Sequence, residues 1–133
     1  MDQKKFKNSS PRIKIIQKIY NSLMNQNTVI EFPKSQYKKF IKDVVTGTLE
    51  RIDLIEETVN RYLANDIELK KTDKLLKIIL FAAVFELLFK HNNSIKVIIV
   101  EYLKAAEFFL EKSKVKYLNA ILDKLSRILR KSV

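Results

Sequence analysis

The side chains that could support acid–base catalysis are few in this 133-residue chain, and their sequence positions do not favour it. His91 is the single histidine, and it stands in an Asn-rich turn with no acidic or nucleophilic residue beside it. The acidic pairs Glu56-Glu57 and Asp66/Glu68 lie among lysines and arginines, where ion pairs along helix faces explain them. We therefore expect a solvated histidine, surface ion pairs and no enzymatic activity.

One glycine and no cysteine exclude several classes of site. The motifs G-x-G-x-x-G and G-x-x-x-x-G-K-[ST] need more than one glycine, so classical dinucleotide and P-loop nucleotide sites are excluded. Without cysteine and with a single histidine, the chain also lacks the usual ligands of structural zinc and any thiol nucleophile. We predict no cofactor and no metal site, and the missing cysteines are compatible with the cytosol.

Glu86 is the one acid within an otherwise apolar run, Leu75 to Phe89. A buried carboxylate is costly in free energy unless it is paired or hydrogen-bonded. Glu86 must therefore meet an internal cation or face a surface that a partner covers. The residues alone leave both possibilities open.

Tyr117 stands between Lys116 and Lys124 on the polar side of the last predicted helix. An exposed ring flanked by lysines suits single-stranded RNA, because unstacked bases stack on aromatic faces while lysines contact the phosphates. Half-buried packing of the ring against a neighbouring helix is the alternative.

Positive charge is concentrated at the two ends of the chain. The net charge is +11, and residues 1–20 contribute +5 and residues 112–131 contribute +6, so the middle is neutral. Clustered basic residues favour a polyanion partner, because their binding releases counterions from the phosphate backbone. A general bias towards lysine, or tails that are simply solvated, explains the same charge.

The apolar pattern predicts the helices that must position these residues. Two prolines and one glycine are too few to punctuate an all-β fold. Ser10-Pro11 is typical of a helix start, and near Gly47 either two helices meet or one helix bends. The run Asp73–Lys90 is apolar on nearly every face, which predicts a central helix, and it is too short and too charged to span a membrane. We predict one all-α domain over residues 1–133, a compact bundle of six or seven helices with residues 1–10 as a flexible basic tail.

Five segments, in order along the chain, resemble the NusB family of bacterial antitermination factors. Lys116–Lys124, KYLNAILDK, is similar to the family signature K-F-V-N-G-V-L-D-K. Four shorter motifs also match: Arg12 followed eight residues later by Tyr20, Val45–Gly47, Val84–Leu87 and Lys96–Glu101. Each motif alone is weak, but five in the family order make the resemblance strong.

The resemblance implies an all-helical, non-catalytic and cytoplasmic RNA-binding protein. Family members pair with NusE, a protein of the small ribosomal subunit, and the heterodimer holds the boxA element of nascent RNA. With other Nus factors, this makes RNA polymerase resistant to termination, chiefly on ribosomal RNA operons.

The resemblance also assigns roles to residues. Arg12, Lys116 and Tyr117 match family positions at the RNA surface, while Tyr20 and Glu86 match positions that face NusE. Nearby basic residues complete the predicted RNA-binding set, namely Lys4, Lys5, Lys7, Lys14 and Lys124. The family fold is expected to bring both basic ends to one RNA surface. Asn8–Pro11 replaces the family's arginine cluster, so we expect looser RNA contact there, because lysine acts as a point charge whereas arginine grips phosphate bidentately.

Two other interpretations follow from the family. NusB-like domains also occur fused to RNA methyltransferase domains, but 133 residues leave no room for one, and a single glycine cannot furnish a glycine-rich cofactor loop. The second is a helical homodimer without a role in RNA binding, since some family members are thought to self-associate.

Overall fold

The computed structural model describes residues 10–131, which form six α-helices and no strand. The helices are α1 (Pro11–Met24), α2 (Lys38–Glu50), α3 (Ile52–Leu63), α4 (Lys74–Phe89), α5 (Ile95–Phe109) and α6 (Lys112–Leu129), with a short 3₁₀ turn at Leu69–Lys71. The prediction of an all-α bundle of six or seven helices is confirmed.

The central helix of the bundle is α4, as the sequence predicts. It is buried almost continuously from Leu76 to Leu87, and each of the other five helices packs against it. A helix that is apolar on all faces is stable in water only when neighbours cover every face. The remaining helices therefore take their places around α4.

Three helices begin with a side-chain cap that their sequences specify. The hydroxyl of Ser10 accepts a hydrogen bond from the Ile13 amide at 3.4 Å, and Pro11 follows at the first helical position. Ser94 caps α5 through the Val97 amide at 3.1 Å. Asp73 caps α4 in the same way, through an amide of the first turn. Each cap satisfies one of the amide groups that have no partner within the helix.

The break between α2 and α3 lies at Arg51 and not at Gly47. Gly47 is buried inside α2, where the ring of Phe85 from α4 occupies the space that a Cβ atom would take. Of the two arrangements left open near Gly47, two helices that meet is the one observed, with the break at Arg51. The glycine serves the close approach of α2 to α4.

Helices α4 and α6 run side by side in the same direction. At their starts, Lys114 Nζ lies 3.6 Å from a carboxylate oxygen of Asp73. At their ends, Arg130 donates hydrogen bonds to carbonyl groups at the last turn of α4. This pairing fixes where the basic end of the chain lies.

Candidate nucleic-acid interface

Tyr117 and Lys124 of α6 converge on Asp66, a residue of the link between α3 and the 3₁₀ turn. The hydroxyl of Tyr117 donates to the Asp66 carbonyl at 2.8 Å, and Lys124 Nζ lies 2.8 Å from an Asp66 carboxylate oxygen. The ring of Tyr117 is 41% exposed. Partial burial, followed by the charge of Asp66, raises the pKa of the Tyr117 hydroxyl, so it stays protonated and able to donate. The ring is thus held in one orientation at the surface.

Lys116 completes this exposed part of α6. It is exposed and, among the described residues, forms no ion pair with a carboxylate. Lys124 is different, because its ammonium group forms an ion pair with Asp66 at 2.8 Å. We call Lys116, Tyr117 and Lys124 the α6 surface.

Arg12 and Glu86 form a buried ion pair between α1 and α4. Arg12 Nη2 lies 2.7 Å and Nε 3.1 Å from the two carboxylate oxygens of Glu86. Asn93 donates a further hydrogen bond to the same carboxylate at 3.3 Å. Glu86 has no exposed surface, and Arg12 is 7% exposed. Of the two possibilities left open for Glu86, the internal cation is the one observed.

Two aromatic rings flank the guanidinium of Arg12. Its central carbon lies 4.8 Å from the ring centre of Phe40 and 5.6 Å from that of Tyr102. Burial lowers the pKa of Arg12, but the hydrogen bond and charge of Glu86 outweigh it, and the net shift is upward. Burial, followed by the charge of Glu86, raises the pKa of Tyr102 well above its usual range. Arg12 is therefore charged and Tyr102 neutral at neutral pH.

This geometry bears on two predicted contacts. Arg12 was predicted to touch RNA, yet its guanidinium is committed to Glu86 and to two rings, because the buried carboxylate needs a cation. Glu86 was predicted to face a protein partner, yet its carboxylate does not reach the surface. Both contacts stay predictions. For either residue to take part in binding, the ion pair between Arg12 and Glu86 must break, or the pair must act by holding neighbouring surface residues in place.

Arg130, near the end of the chain, binds carbonyl groups at the end of α4. Its guanidinium donates to four main-chain carbonyls, those of Glu86, Leu87, Lys90 and Asn93, at 2.5 to 3.1 Å. The last carbonyls of a helix have no partner within the helix and carry partial negative charge. A residue of the basic C-terminal segment thus meets the same turn of α4 that holds Arg12.

The other predicted residues lie at several places on the bundle. Lys14 is half-buried on α1, and Tyr20 is half-buried against the core on the same helix. Lys114 near the start of α6 contacts Asp73 at the start of α4, so the two helices can be compared residue by residue from this contact. Tyr117 follows Lys114 closely, whereas Glu86 lies much further along α4, which puts Tyr117 roughly 15 Å before Glu86 along the bundle at 1.5 Å per helical residue. An RNA surface that includes both ends of the chain would extend over at least this distance. Lys4, Lys5, Lys7 and residues 1–9 of the predicted basic tail lie outside the described residues, while Ser10, the last residue of that predicted tail, is buried as the cap of α1.

The residues weighed for catalysis take the positions expected of surface groups. His91 is exposed in the turn after α4. Glu57 pairs with Arg61 at 3.0 Å, and Glu68 lies 3.9 Å from Lys71. Across residues 10–131, no group of three or more histidines and acids is arranged to hold a metal ion. None of the helices in this part of the chain has the length and apolar character needed to cross a membrane.

Sequence reasoning missed the roles of Asp66, Asn93 and Arg130. Asp66 was noted only as half of an acidic pair, and Arg130 only as one charge among several. Their partners lie between 7 and 58 residues away along the chain, so no local spacing reveals most of these contacts. One signal was available in the sequence: the link around Asp66 is polar and lies between two helices with apolar faces, which indicates a surface segment able to bind polar side chains from elsewhere in the chain.

Comparisons with known proteins agree on one family. The family model described as "NusB family" matches residues 3–127. The transcription antitermination protein NusB of Mesorhizobium japonicum is 33% identical over 92 residues, which cover 69% of this chain and 59% of that protein. The protein of the same name from Rickettsia massiliae is 27% identical over 121 residues, covering 85% and 75%. A solved structure of T. maritima NusB superposes with a TM-score of 0.75 over 88% of each chain at 21% identity, which shows a shared fold.

Proposed function

The chain belongs to the NusB family, and from this premise we propose that it is a transcription antitermination factor that binds boxA RNA as a heterodimer with NusE. In this proposal the protein has no catalytic activity and works in the cytoplasm. In the same proposal, the complex with NusE and boxA RNA is what contacts the other Nus factors and RNA polymerase, so this chain interacts with them indirectly.

The observation that carries the RNA-binding part is the α6 surface within the segment KYLNAILDK. It combines a fixed, partly exposed aromatic ring with two lysines on one side of a helix. Bases of a single strand stack on such a ring, and the lysines contact the adjacent phosphates. No base-reading pattern is needed for this contact, so sequence preference must come from further residues or from NusE.

The proposed pairing with NusE rests on family membership and on the position of Tyr20. Tyr20 keeps part of its ring exposed on α1, where a partner can cover it. Glu86 contributes to such a surface only indirectly, because its ion pair with Arg12 joins α1 to α4.

The deciding experiment is co-purification with NusE followed by RNA binding. We expect a stoichiometric heterodimer that binds boxA RNA more tightly than a scrambled strand of equal length, with affinity that falls steeply as salt rises. Equal affinity for both strands would reduce RNA binding to nonspecific charge attraction. Failure to capture NusE, together with a dimer in sedimentation of the isolated protein, would favour the homodimer.

A further inference from the structure

A groove between α1 and the segment that leads into α2 is lined by four lysines. It has a volume of about 280 Å³, and its walls include Lys14 and Lys18 from α1, and Lys34 and Lys38 from the loop and the first residue of α2. Its apolar part is formed by Phe32, Pro33 and Ile41, and its uncharged polar part by Gln17, Asn21 and Ser35. The lining contains no carboxylate. We call this the lysine groove.

The charges in the lysine groove have no carboxylate partner in the part of the chain that the structure describes. Within residues 10–131, none of its four lysines forms an ion pair with a carboxylate. The ammonium group of Lys18 instead donates a hydrogen bond to the Glu31 carbonyl at 2.6 Å and lies 5.5 Å from the centre of the Phe32 ring. On α6 the opposite holds for several basic residues, since Lys114, Lys124 and Arg127 each lie within 4 Å of an aspartate. As far as the described residues go, the lysine groove therefore concentrates positive charge that no carboxylate pairs with.

We propose that the lysine groove holds the phosphate backbone of the RNA that the protein binds. The proposal rests on the proposed RNA-binding function and adds Lys18, Lys34 and Lys38 to its contacts. Lysines act as compact point charges on phosphate, and a polynucleotide carries enough phosphates in sequence to neutralise all four of them. Lys14 and Lys18 also belong to residues 1–20, the N-terminal segment whose net charge is +5.

The arrangement of the lysines fits a chain of phosphates better than a single one. Lys14 and Lys18 are one helical turn apart, about 6 Å along α1 at 1.5 Å per residue, and Lys34 and Lys38 stand on a different segment that forms the rest of the groove. Positive charge is thus spread along both sides of the groove, as successive phosphates of one strand require. Each phosphate neutralised on a single strand contributes about 0.7 to the slope of log affinity against log salt.

The test uses the double variant Lys34→Gln and Lys38→Gln. Removing Lys38 from the first turn of α2 also removes a positive charge from the positive end of the helix dipole, so the variant is not expected to lose stability. The matched control is Lys70→Gln with Lys96→Gln, two exposed lysines that do not line the groove. Binding of a short boxA RNA to the complex with NusE is measured by fluorescence anisotropy over a range of salt concentrations, and folding of every variant is checked by circular dichroism.

We expect the groove variant to bind several-fold more weakly at low salt, with a salt slope smaller by about 1.4, that is about 0.7 for each lost phosphate contact. The control should keep the slope of the natural protein. If the natural protein binds boxA RNA and the groove variant binds it equally well, the groove proposal fails while the proposed function stands. If the natural protein binds no RNA, both fail. An equal loss in the control, or a loss of NusE capture with unchanged RNA binding, would also overturn the RNA assignment of the groove.

Discussion

Arg12 and Glu86 form a bidentate pair inside the bundle, with nitrogen–oxygen distances of 2.7 and 3.1 Å. The pair joins residues 74 positions apart, one from the first helix and one from the central helix. Both matched family positions assigned to binding surfaces, yet here they bind each other. Their first effect is therefore on the fold, and any effect on partners follows from the positions of α1 and α4.

We expect Arg12→Ala to lower the free energy of unfolding by about 3–5 kcal/mol, because it leaves the carboxylate of Glu86 buried without a cation. The double variant Arg12→Met with Glu86→Leu should recover most of this loss, since the apolar pair removes both charges. Urea denaturation at neutral pH measures each change. Lys14→Ala serves as the control on the same helix, with an expected change within about 0.5 kcal/mol. A loss below about 1 kcal/mol for Arg12→Ala would mean that water reaches the pair.

We expect Arg130→Ala to lower the free energy of unfolding by about 1–3 kcal/mol, because carbonyls at the end of α4 lose a charged donor. Arg130→Lys should recover only part of it, since an ammonium group cannot reach four carbonyls with the geometry of a guanidinium. Hydrogen exchange of amides near the end of α4 should report the same weakening. Arg127→Ala, which removes an exposed pair with Asp123, is the control and should cost less than about 0.5 kcal/mol.

The sequence carried enough information for the helices but not for most contacts between them. Apolar spacing and the capping residue Ser10 are local signals, and they predicted the start of α1 and the extent of α4 to within a few residues. A charge count identified the basic ends without showing that Asp66 balances Lys124, because that pair joins positions 58 residues apart. The apolar residues on either side of Glu86 in the sequence were enough to predict that its carboxylate needs a partner. Which of the two possible partners it takes depends on how α1 packs on α4, and only the folded chain shows that.

Tyr117→Ala should weaken boxA binding by about 1–3 kcal/mol for the base that stacks on the ring. Tyr117→Phe should keep most of the affinity, because the stacking face remains although the hydrogen bond to the Asp66 carbonyl is lost. The comparison separates stacking from the positioning that the hydroxyl provides. Anisotropy titrations with boxA RNA give the affinities, and thermal denaturation shows whether each variant is folded. Unchanged binding by a folded Tyr117→Ala variant would remove the ring from the proposed RNA contact.

Asp66→Asn should strengthen RNA binding. The carboxylate of Asp66 lies 2.8 Å from Lys124 Nζ and competes with phosphate for that charge, while an amide leaves the lysine available. We expect affinity to rise several-fold at low salt and the salt slope to grow by about 0.7, one further phosphate contact on a single strand. Glu57→Gln makes the same change in net charge on α3, where Glu57 pairs with Arg61, and should leave the slope unaltered. An equal gain in both variants would attribute the effect to total charge alone.

Gly47→Ala should destabilise the protein although alanine is the better helix former. The substitution gains up to about 1 kcal/mol in helix propensity, but its methyl group would overlap the Phe85 ring, and overpacking a core costs about 1–3 kcal/mol. Phe85→Leu in the same chain removes the ring and should make Gly47→Ala neutral or favourable, so a double-mutant cycle measured by urea denaturation should show strong coupling between the two positions. The coupling is the decisive quantity, because Phe85→Leu alone also removes the contact with the Phe89 ring. Additive changes would show that the ring moves aside freely and that the close approach of α2 to α4 does not require the glycine.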